Sequence, residues 1–422
     1  MKFLLLYKGS YGASLRGPEM RYLAVAESLS SLGHSVVLVG RSIDLTFANS
    51  LISFIRLNQF YALVKGFLSA NVIVLHGGGP IVLMLSLLCG FLGKVVVLDA
   101  YVPHWIELDE QLSQSEQVSF RIVVKSMFNV FRSFFSGLVF DQTIVANRRQ
   151  QDIVRGVSAA LFRTTQFDRV HIVPFGCFAY VQRDKAHGLL LLNELLYDVS
   201  PLKESDFLVG WLGGVYGWFD VNKLLFMIAP ALEQNRHIKL VFFGVDALKR
   251  LDMLSCLEEH LHGNIVFLSW VPFEKRLDYW AAFDLSLVWG GDGYENDYAS
   301  RTRNFDCLSL ALPILQNEDD EWGDRLRVNH AGIISSAEQL SDNLLMLSRS
   351  PEVLQQLKIG MMNLSYDFEW IQFARRLEQI SQLPRLGALR RLVGVFALVM
   401  ITPAILLLLS YQLWSSFVQG KK

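Results

Sequence analysis

The chain has 422 residues, more than one ordinary core accommodates, so two domains are expected. Its net charge of −1 gives no global attraction to nucleic acid, and 52% hydrophobic against 19% charged residues is apolar for an enzyme living wholly in water. Cys89, Cys177, Cys256 and Cys307 stand far apart without metal-ligand spacing, which fits buried free thiols in a reducing compartment.

"KFLLLY" (2–7) reads as a first strand, too short and too soon interrupted by Lys8 for a signal peptide. The glycine-bearing loop after it contains Gly9 and Gly12. A helix runs to about Leu32, and Gly33-His34 leads into a strand at 36–40. Strand, glycine loop, helix, strand is a Rossmann-like opening, but Gly9 and Gly12 do not complete the dinucleotide fingerprint, which disfavours NAD. Glu19 and Arg21 either face a ligand cleft or form a solvated first turn. Residues 45–69 are expected to be helical. "NVIVLHGGGP" is a buried strand entering a glycine loop, with His76 where the strand ends, either a structural histidine or a site residue. A helix from Ile81 to Phe91 and the strand "KVVVLDAYVPHW" follow, placing Asp99 and His104 at or just past the same sheet edge. In 118–135, Arg121, Lys125, Asn129 and Arg132 share one helical face opposite Phe120, Val124, Phe128, Phe131 and Phe135. That segment packs on the sheet or rests on anionic lipid.

"QTIVANRRQQDIVRGV" reads as strand, loop, helix, and "RVHIVPFGC" as the strand closing a first domain, 1–195. The charged, Leu-rich stretch 181–205 is the expected linker. A second domain, 196–385, opens with "FLVGWLGGVYGWFD", where a strand meets Gly213-Gly214 and a helix starts near Asp220. Trp211, Tyr216, Trp218 and Trp289 either line a cleft or pack the core. "KLVFFG" and "IVFLSWVP" are further strands. His260-x-His262 reads as surface helix, and no metal site is expected.

The stretch from Leu287 to Leu315 carries the densest chemistry: a buried strand (Asp284–Trp289), a glycine-rich acidic loop, "SRTR", Asp306 and "ALPIL". In a doubly wound sheet, ligands sit at the carboxyl ends of strands. Glu295, Arg301, Arg303 and Asp306 are expected there; guanidiniums at a helix start suit a pyrophosphate, and a carboxylate suits sugar hydroxyls. "FEWIQFARRLEQI" is amphipathic, as expected for a helix returning to the first domain. From Leu392 to Trp414 no residue is charged, which as a helix is on the order of 34 Å, so 390–416 is expected to be a transmembrane anchor. Arg385, Arg390 and Arg391 precede it and Lys421 and Lys422 follow, so charge leaves its orientation open.

These segments resemble the bacterial glycosyltransferases of the GT-B fold, within them the retaining family 4 type, over roughly residues 1–380. The resemblance rests on "GPEMRYLAVAESLSSLGHSVVLVG" and "DRVHIVPFG", and for a cell-surface polysaccharide subgroup on "VVLDAYVPHWIELD", "ANRRQQDIVRGVSAALFR", "GWLGGVYGWFD" and "ENDYASRTRNFDCLSLALPIL" in that order. It implies an α/β fold of two Rossmann-like domains facing a cleft. It also implies transfer of a sugar, of hexosyl type, from a nucleotide-sugar donor to a saccharide or lipid-linked acceptor, without a cofactor. Gly12, Gly213 and Gly214 would lie near the donor diphosphate, with Arg301 and Arg303 as cations. Asp306 would bind the ribose, and Glu295 and Asp99 would act at the donor sugar; by their own positions Glu19, His76 and His104 are candidates for the acceptor side or the cleft. The sequence departs from the family's pair of glutamates: Tyr298 stands eight residues before Asp306, and Glu295 eleven before it. The usual basic residues after the second-domain glycine turn are replaced by "GGVYGWFD".

Such transfer breaks an anomeric C–O bond through an oxocarbenium-like state while charge grows on the leaving diphosphate. A lipid-borne acceptor would explain the anchor, and cytosolic nucleotide sugars would place the catalytic domains on the cytosolic side of a bacterial membrane. A silent membrane-anchored subunit of a polysaccharide assembly complex and a nucleotide-sugar epimerase of the same fold are the alternatives.

Overall fold

In the computed structural model the described residues are 1–12, 15, 17–44, 49–76, 80–101, 139–162, 169–196, 200–215, 219–291, 294–318, 321–389 and 391–396. The chain forms two compact units, Met1–Pro174 with Phe373–Lys422, and Phe175–Gln372.

Unit 1 is built on a parallel sheet whose strands read as nearly continuous apolar runs, as strands covered on both faces do. β1 (Lys2–Leu6), β3 (Ser35–Gly40), β5 (Ile52–Arg56), β6 (Val72–Leu75), β7 (Val95–Asp99), β8 (Gln142–Val145) and β9 (Val170–Ile172) lie in the order β5-β3-β1-β6-β7-β8-β9. A two-residue pair, β2 (Ser10–Tyr11) with β4 (Ser42–Ile43), stands apart from it. Phe3 pairs with Val36 and Val72, which sets the register at the centre of the sheet. The order reverses at β1/β6, so the loops after these two strands flank the crevice where such sheets bind ligands. Helices α1 (Gly17–Ser31), α2 (Phe60–Ser69), α3 (Pro80–Phe91) and α4 (Arg148–Phe162) connect the strands. Leu63 and Phe67 of α2 and Val82 and Cys89 of α3 share a core with Leu4 and Leu6 of β1. Residues 45–69 are not one helix. Ile52–Arg56 pairs with β3 in parallel register and buries Ile52, and the helix begins only at Phe60.

Unit 2 repeats the plan. β10 (Phe207–Trp211), β11 (Ile238–Phe243), β12 (Ile265–Leu268), β13 (Leu285–Val288), β14 (Ile314–Asn317) and β15 (Gly332–Ser335) form a parallel sheet in the order β12-β11-β10-β13-β14-β15. Its reversal lies between β10 and β13. The expected linker 181–205 is instead partly a helix of this unit, α5 (Lys185–Glu194). Asp184 caps it, accepting a hydrogen bond from the Ala186 amide. After α6 (Val221–Gln234) and α7 (Ala247–Leu254) comes α8 (Arg276–Trp280), against which α5 lies, and Lys185 and Arg183 pair with Asp284 and Asp278. Charges that read as a solvated linker are thus docking pairs, and the division falls at 174/175 rather than 195/196. A Cβ on Gly188 would stand 2.7 Å from the Ala282 amide nitrogen and 2.8 Å from the Asp278 carbonyl, so close approach demands glycine. Gly188→Ala is expected to lower stability by about 1–3 kcal/mol, read as a shifted denaturant midpoint.

The chain returns to unit 1 within the amphipathic helix Trp370–Ser381. The tail is then clamped. Asp141, fully buried, accepts from the Val96 and Leu386 amides and pairs with Arg391, whose guanidinium also donates to the Val139 carbonyl. Cys89, Cys177 and Cys307 are buried free thiols and Cys256 is half-buried; burial pushes Cys89 up to about 11 and Cys307 up to about 12. Among the described residues no helix is long and apolar enough to cross a membrane. The expected span lies, beyond Phe396, outside the described residues, as does the segment 118–135.

Candidate active site

The carboxyl ends of β10 and β13 bring together the second unit's glycines and arginines. After β10 the chain turns through Gly213 and Gly214, and the Trp211 indole donates to the Gly214 carbonyl at 3.2 Å. After β13 comes Gly290, whose amide donates to Asn317 Oδ1 at 3.0 Å, tying this loop to the end of β14. α9 (Tyr294–Tyr298) follows, then α10 (Thr302–Leu310), with Arg301 at its N-cap.

Arg303, in the first turn of α10, lies over the Trp211 ring at 4.6 Å and the Phe219 ring at 4.9 Å and donates to the Gly214 carbonyl at 3.4 Å. Arg301 lies over Phe219 at 5.0 Å and donates to Asn296 Oδ1 at 2.8 Å. Two guanidiniums therefore share one aromatic ring, each nearly buried (6% exposed). The glycines follow from this packing. A Cβ on Gly213 would meet Arg303 Nη2 at 3.2 Å, and one on Gly290 would meet Arg301 Nη2 at 2.6 Å and overlap Asn296. Two positive, planar, donor-rich groups beside a glycine turn and a helix N-terminus suit an anion with several oxygens.

Asp306 stands one turn further along α10 and has a different partner. It accepts from Arg276 Nη2 at 2.6 Å and Nε at 3.3 Å, while Arg276 also donates to the Phe273 carbonyl and lies over the Phe273 ring. Burial raises the Asp306 carboxyl above its ordinary range, and the Arg276 charge opposes that rise. Of the expected group, the two arginines and the Gly213 turn are in contact, and Asp306, one turn further on, forms a bidentate pair with Arg276 of α8. The Glu295 side chain lies outside the described residues, although its backbone is part of α9.

In unit 1, Arg21 of α1 and Asp99 at the end of β7 form a fully buried pair, Nε–Oδ2 2.9 Å and Nη2–Oδ1 3.1 Å. Arg21 further donates to the Val173 and Pro174 carbonyls and lies between the rings of Tyr101 (4.5 Å) and Phe373 (4.4 Å). Asp99 is a counter-ion inside the fold, which corrects its expected place as an acid at the donor sugar. The solvated-turn reading of Glu19 and Arg21 is also excluded, since both are buried. Glu19 fills the space where a Gly9 side chain would stand, its Oε1 2.4 Å from the Cβ position. His76 Nδ1 lies 3.0 Å from the Asp99 carbonyl, which can only accept, so that nitrogen carries the proton. The rings of Tyr7, Tyr22 and Tyr101 surround it, and burial followed by the Asp99 charge holds the Tyr22 hydroxyl well above its ordinary range. Gly12 is half-exposed beside Asp44, and His104 lies outside the described residues. Trp211 is core and Trp289 nearly so; Tyr216 and Trp218 lie outside the described residues.

Sequence reasoning missed Phe219, Asn296 and Arg276. Phe219 was hidden in an aromatic-rich turn, and Arg276 in "FEKRLDYW" carries no signal of its distant partner. His260 is exposed; it bonds Glu233 and with Glu258 forms the one cluster of potential metal ligands among the described residues, beside Arg236, which also bonds Glu233.

No protein-family model and no curated protein sequence matches the chain. Solved structures match it over nearly its whole length. WaaG, a glycosyltransferase involved in lipopolysaccharide biosynthesis, superposes with a TM-score of 0.59 at 15% identity, covering 91% of this chain and 100% of its own. Anabaena HepE, in complex with UDP-glucose, gives 0.58 at 14% identity with the same coverage. A glycosyltransferase from Rickettsia africae gives 0.57 at 10% identity, covering 90% of this chain and 97% of its own. At such identities the likeness defines the fold: the chain has the α/β fold of the GT-B glycosyltransferases.

Proposed function

We propose that the chain is a glycosyltransferase that moves a sugar from a nucleotide-sugar donor to a saccharide or lipid-linked acceptor in cell-surface polysaccharide synthesis. The observation that carries this reading is the pair Arg301 and Arg303, stacked on Phe219 against the Gly213 turn at the reversal point of the second sheet. The GT-B fold supports it, as do the HepE structures holding UDP-glucose and, separately, UDP and glucose.

In this mechanism the donor diphosphate lies on the Gly213-Gly214 backbone with its oxygens toward Arg301 and Arg303. As the anomeric C–O bond breaks, negative charge grows on the diphosphate and the two guanidiniums, already oriented, stabilise it without reorganising. Asp306, oriented by Arg276, retains lone pairs that can accept the ribose hydroxyls. Glu295 is assigned to the donor sugar, Gly12 to the donor diphosphate, and Glu19, His76 and His104 to the acceptor side or the cleft, with anomeric configuration retained and protein cations in place of a metal. The Arg21–Asp99 pair ties the end of β7 to the Val173 and Pro174 carbonyls just past β9, and the Asp99 carbonyl holds the His76 ring. The uncharged stretch Leu392–Trp414 anchors the protein in a bacterial cytoplasmic membrane, with both units on the cytosolic side where nucleotide sugars are made.

The test is transfer itself. Membranes holding the protein are incubated with a panel of labelled nucleotide sugars and polyprenyl-diphosphate-linked saccharides; labelled lipid from one donor is expected, and none from any pair would refute the enzyme. A chain ending at Phe396 is expected to leave the membrane fraction on carbonate washing while the full chain stays. Truncation before Arg391 is a poor version of this experiment, because it strands buried Asp141.

A further inference from the structure

We infer that unit 1 carries a second anion site, a pocket at the open edge of its sheet that takes a soluble phosphate monoester with a sugar-sized body. The site is separate from the donor-binding residues, and the inference does not depend on the transfer reaction.

The pocket has a volume of about 330 Å³ and lies among α4, β9 and the helix Trp370–Ser381. α4 packs on β9 and supplies Gln151 and Arg155, one turn apart. The helix Trp370–Ser381 supplies Arg376, Gln379 and Ile380, at i, i+3 and i+4. The floor is β9 itself, through Val170, His171 and Ile172. β9 ends the sheet, three strands beyond β6, so the pocket stands on the order of 14 Å from the β1/β6 crevice at ordinary strand spacing.

A sheet's last strand leaves half of its backbone groups without a neighbouring strand. The Val173 amide donates to the Val145 carbonyl, so Val173 and His171 turn their backbone groups to β8. Those of Val170 and Ile172 therefore point to the free edge. The nearly buried Gln151 side chain donates to the Val170 carbonyl there. The Ile172 amide stands on the same edge as a donor for a ligand. His171 is fixed in the wall. Gln142 uses its Nε2 on the Pro384 carbonyl, so its Oε1 accepts from His171 Nε2 at 2.8 Å.

Charge sets the ligand. Arg155 and Arg376 reach the pocket from two different helices, and among the described residues its lining holds no Asp or Glu. The acids nearest in sequence pair elsewhere, Asp152 with Arg148 and Glu378 with His34. Two guanidiniums and a main-chain amide form a donor set for phosphate oxygens. The volume also leaves room for a body beyond the phosphate, with Gln379 at the lip for hydroxyls and Val170, Ile172 and Ile380 as an apolar floor. None of these three apolar residues is exposed, so they offer no surface to acyl chains, and a soluble ester fits better than a lipid headgroup.

The experiment is calorimetric titration of the full chain in nanodiscs with glucose 6-phosphate, glycerol 3-phosphate, inorganic phosphate, glucose and dihexanoyl phosphatidic acid. At least one of the two soluble esters is expected to bind about tenfold or more tightly than phosphate or glucose. Arg155→Gln with Arg376→Gln is expected to weaken that binding by a similar factor, and Arg303→Ala to leave it unchanged. Gln379 is exposed, so Gln379→Glu tests the same lip by repulsion should the double variant lose its thermal midpoint. Hydrogen exchange with the ester bound is expected to slow in β9 and α4 and not at Gly213 or Gly214. Binding by neither soluble ester would overturn the inference, as would ester binding lost in Arg303→Ala but kept in the double variant. Phosphate or glucose binding as tightly as the esters would also overturn it, and so would phosphatidic acid binding more tightly than glycerol 3-phosphate. Failure of sugar transfer with ester binding intact would defeat the proposed function and leave this site standing.

Discussion

Arg303→Ala is expected to reduce kcat/KM for the donor by two to three orders of magnitude, about 3–4 kcal/mol of lost transition-state stabilisation. The size follows from where the guanidinium sits. It is nearly buried, pre-oriented by Trp211, Phe219 and the Gly214 carbonyl, and adjacent to a glycine turn with no side chain to intrude. A cation held in this way gains more from growing negative charge than one in water. Arg303→Lys should recover only a small part of the loss, because an ammonium keeps the charge but neither stacks as a plane nor offers a fork of donors. Initial rates against donor concentration, with the thermal midpoint of each variant as a folding control, separate this from collapse of the Trp211–Phe219 packing.

The second large effect is on stability. Asp99→Ala is expected to destabilise unit 1 by about 3–5 kcal/mol, because it leaves the Arg21 cation fully buried without its carboxylate. The Val173 and Pro174 carbonyls and the two rings remain, and they do not neutralise a charge. Arg21→Met together with Asp99→Leu should restore much of the loss, since both charges go and apolar volume stays. Hydrogen exchange at the β1, β6 and β7 amides reads unit 1 separately from unit 2. A purely catalytic Asp99 would instead give a stable, inactive protein with unchanged exchange.

The two parallel sheets were legible because buried parallel strands print apolar runs, and "KFLLL", "VIVL", "VVVLD" and "LVFF" leave little choice. Ile52–Arg56 was not legible as a strand. Five residues of mixed polarity carry too few periods, and pairing with β3 decides the matter. Lys185 and Arg183 likewise looked solvated because their partners, Asp284 and Asp278, lie about a hundred positions away.

The candidate site divides the same way. The glycine turns and "SRTR" were visible, since a strand followed by glycine and then a helix start has one common use. What the sequence did not carry was pairing. Asp99 and Asp306 both read as site carboxylates, and each turned out to hold a bidentate arginine, Arg21 and Arg276. Either arginine could have been assigned to water on composition alone. Phe219 as a shared platform for two cations depends on three-dimensional placement that no local pattern encodes.

The most direct measurement is a structure of the protein with the nucleoside diphosphate that its own donor releases. The terminal phosphate is expected within about 3 Å of Arg301 and Arg303 donors and of the Gly213 or Gly214 amide. A diphosphate seated away from that turn, with both guanidiniums still turned to Phe219 and Asn296 alone, would contradict it.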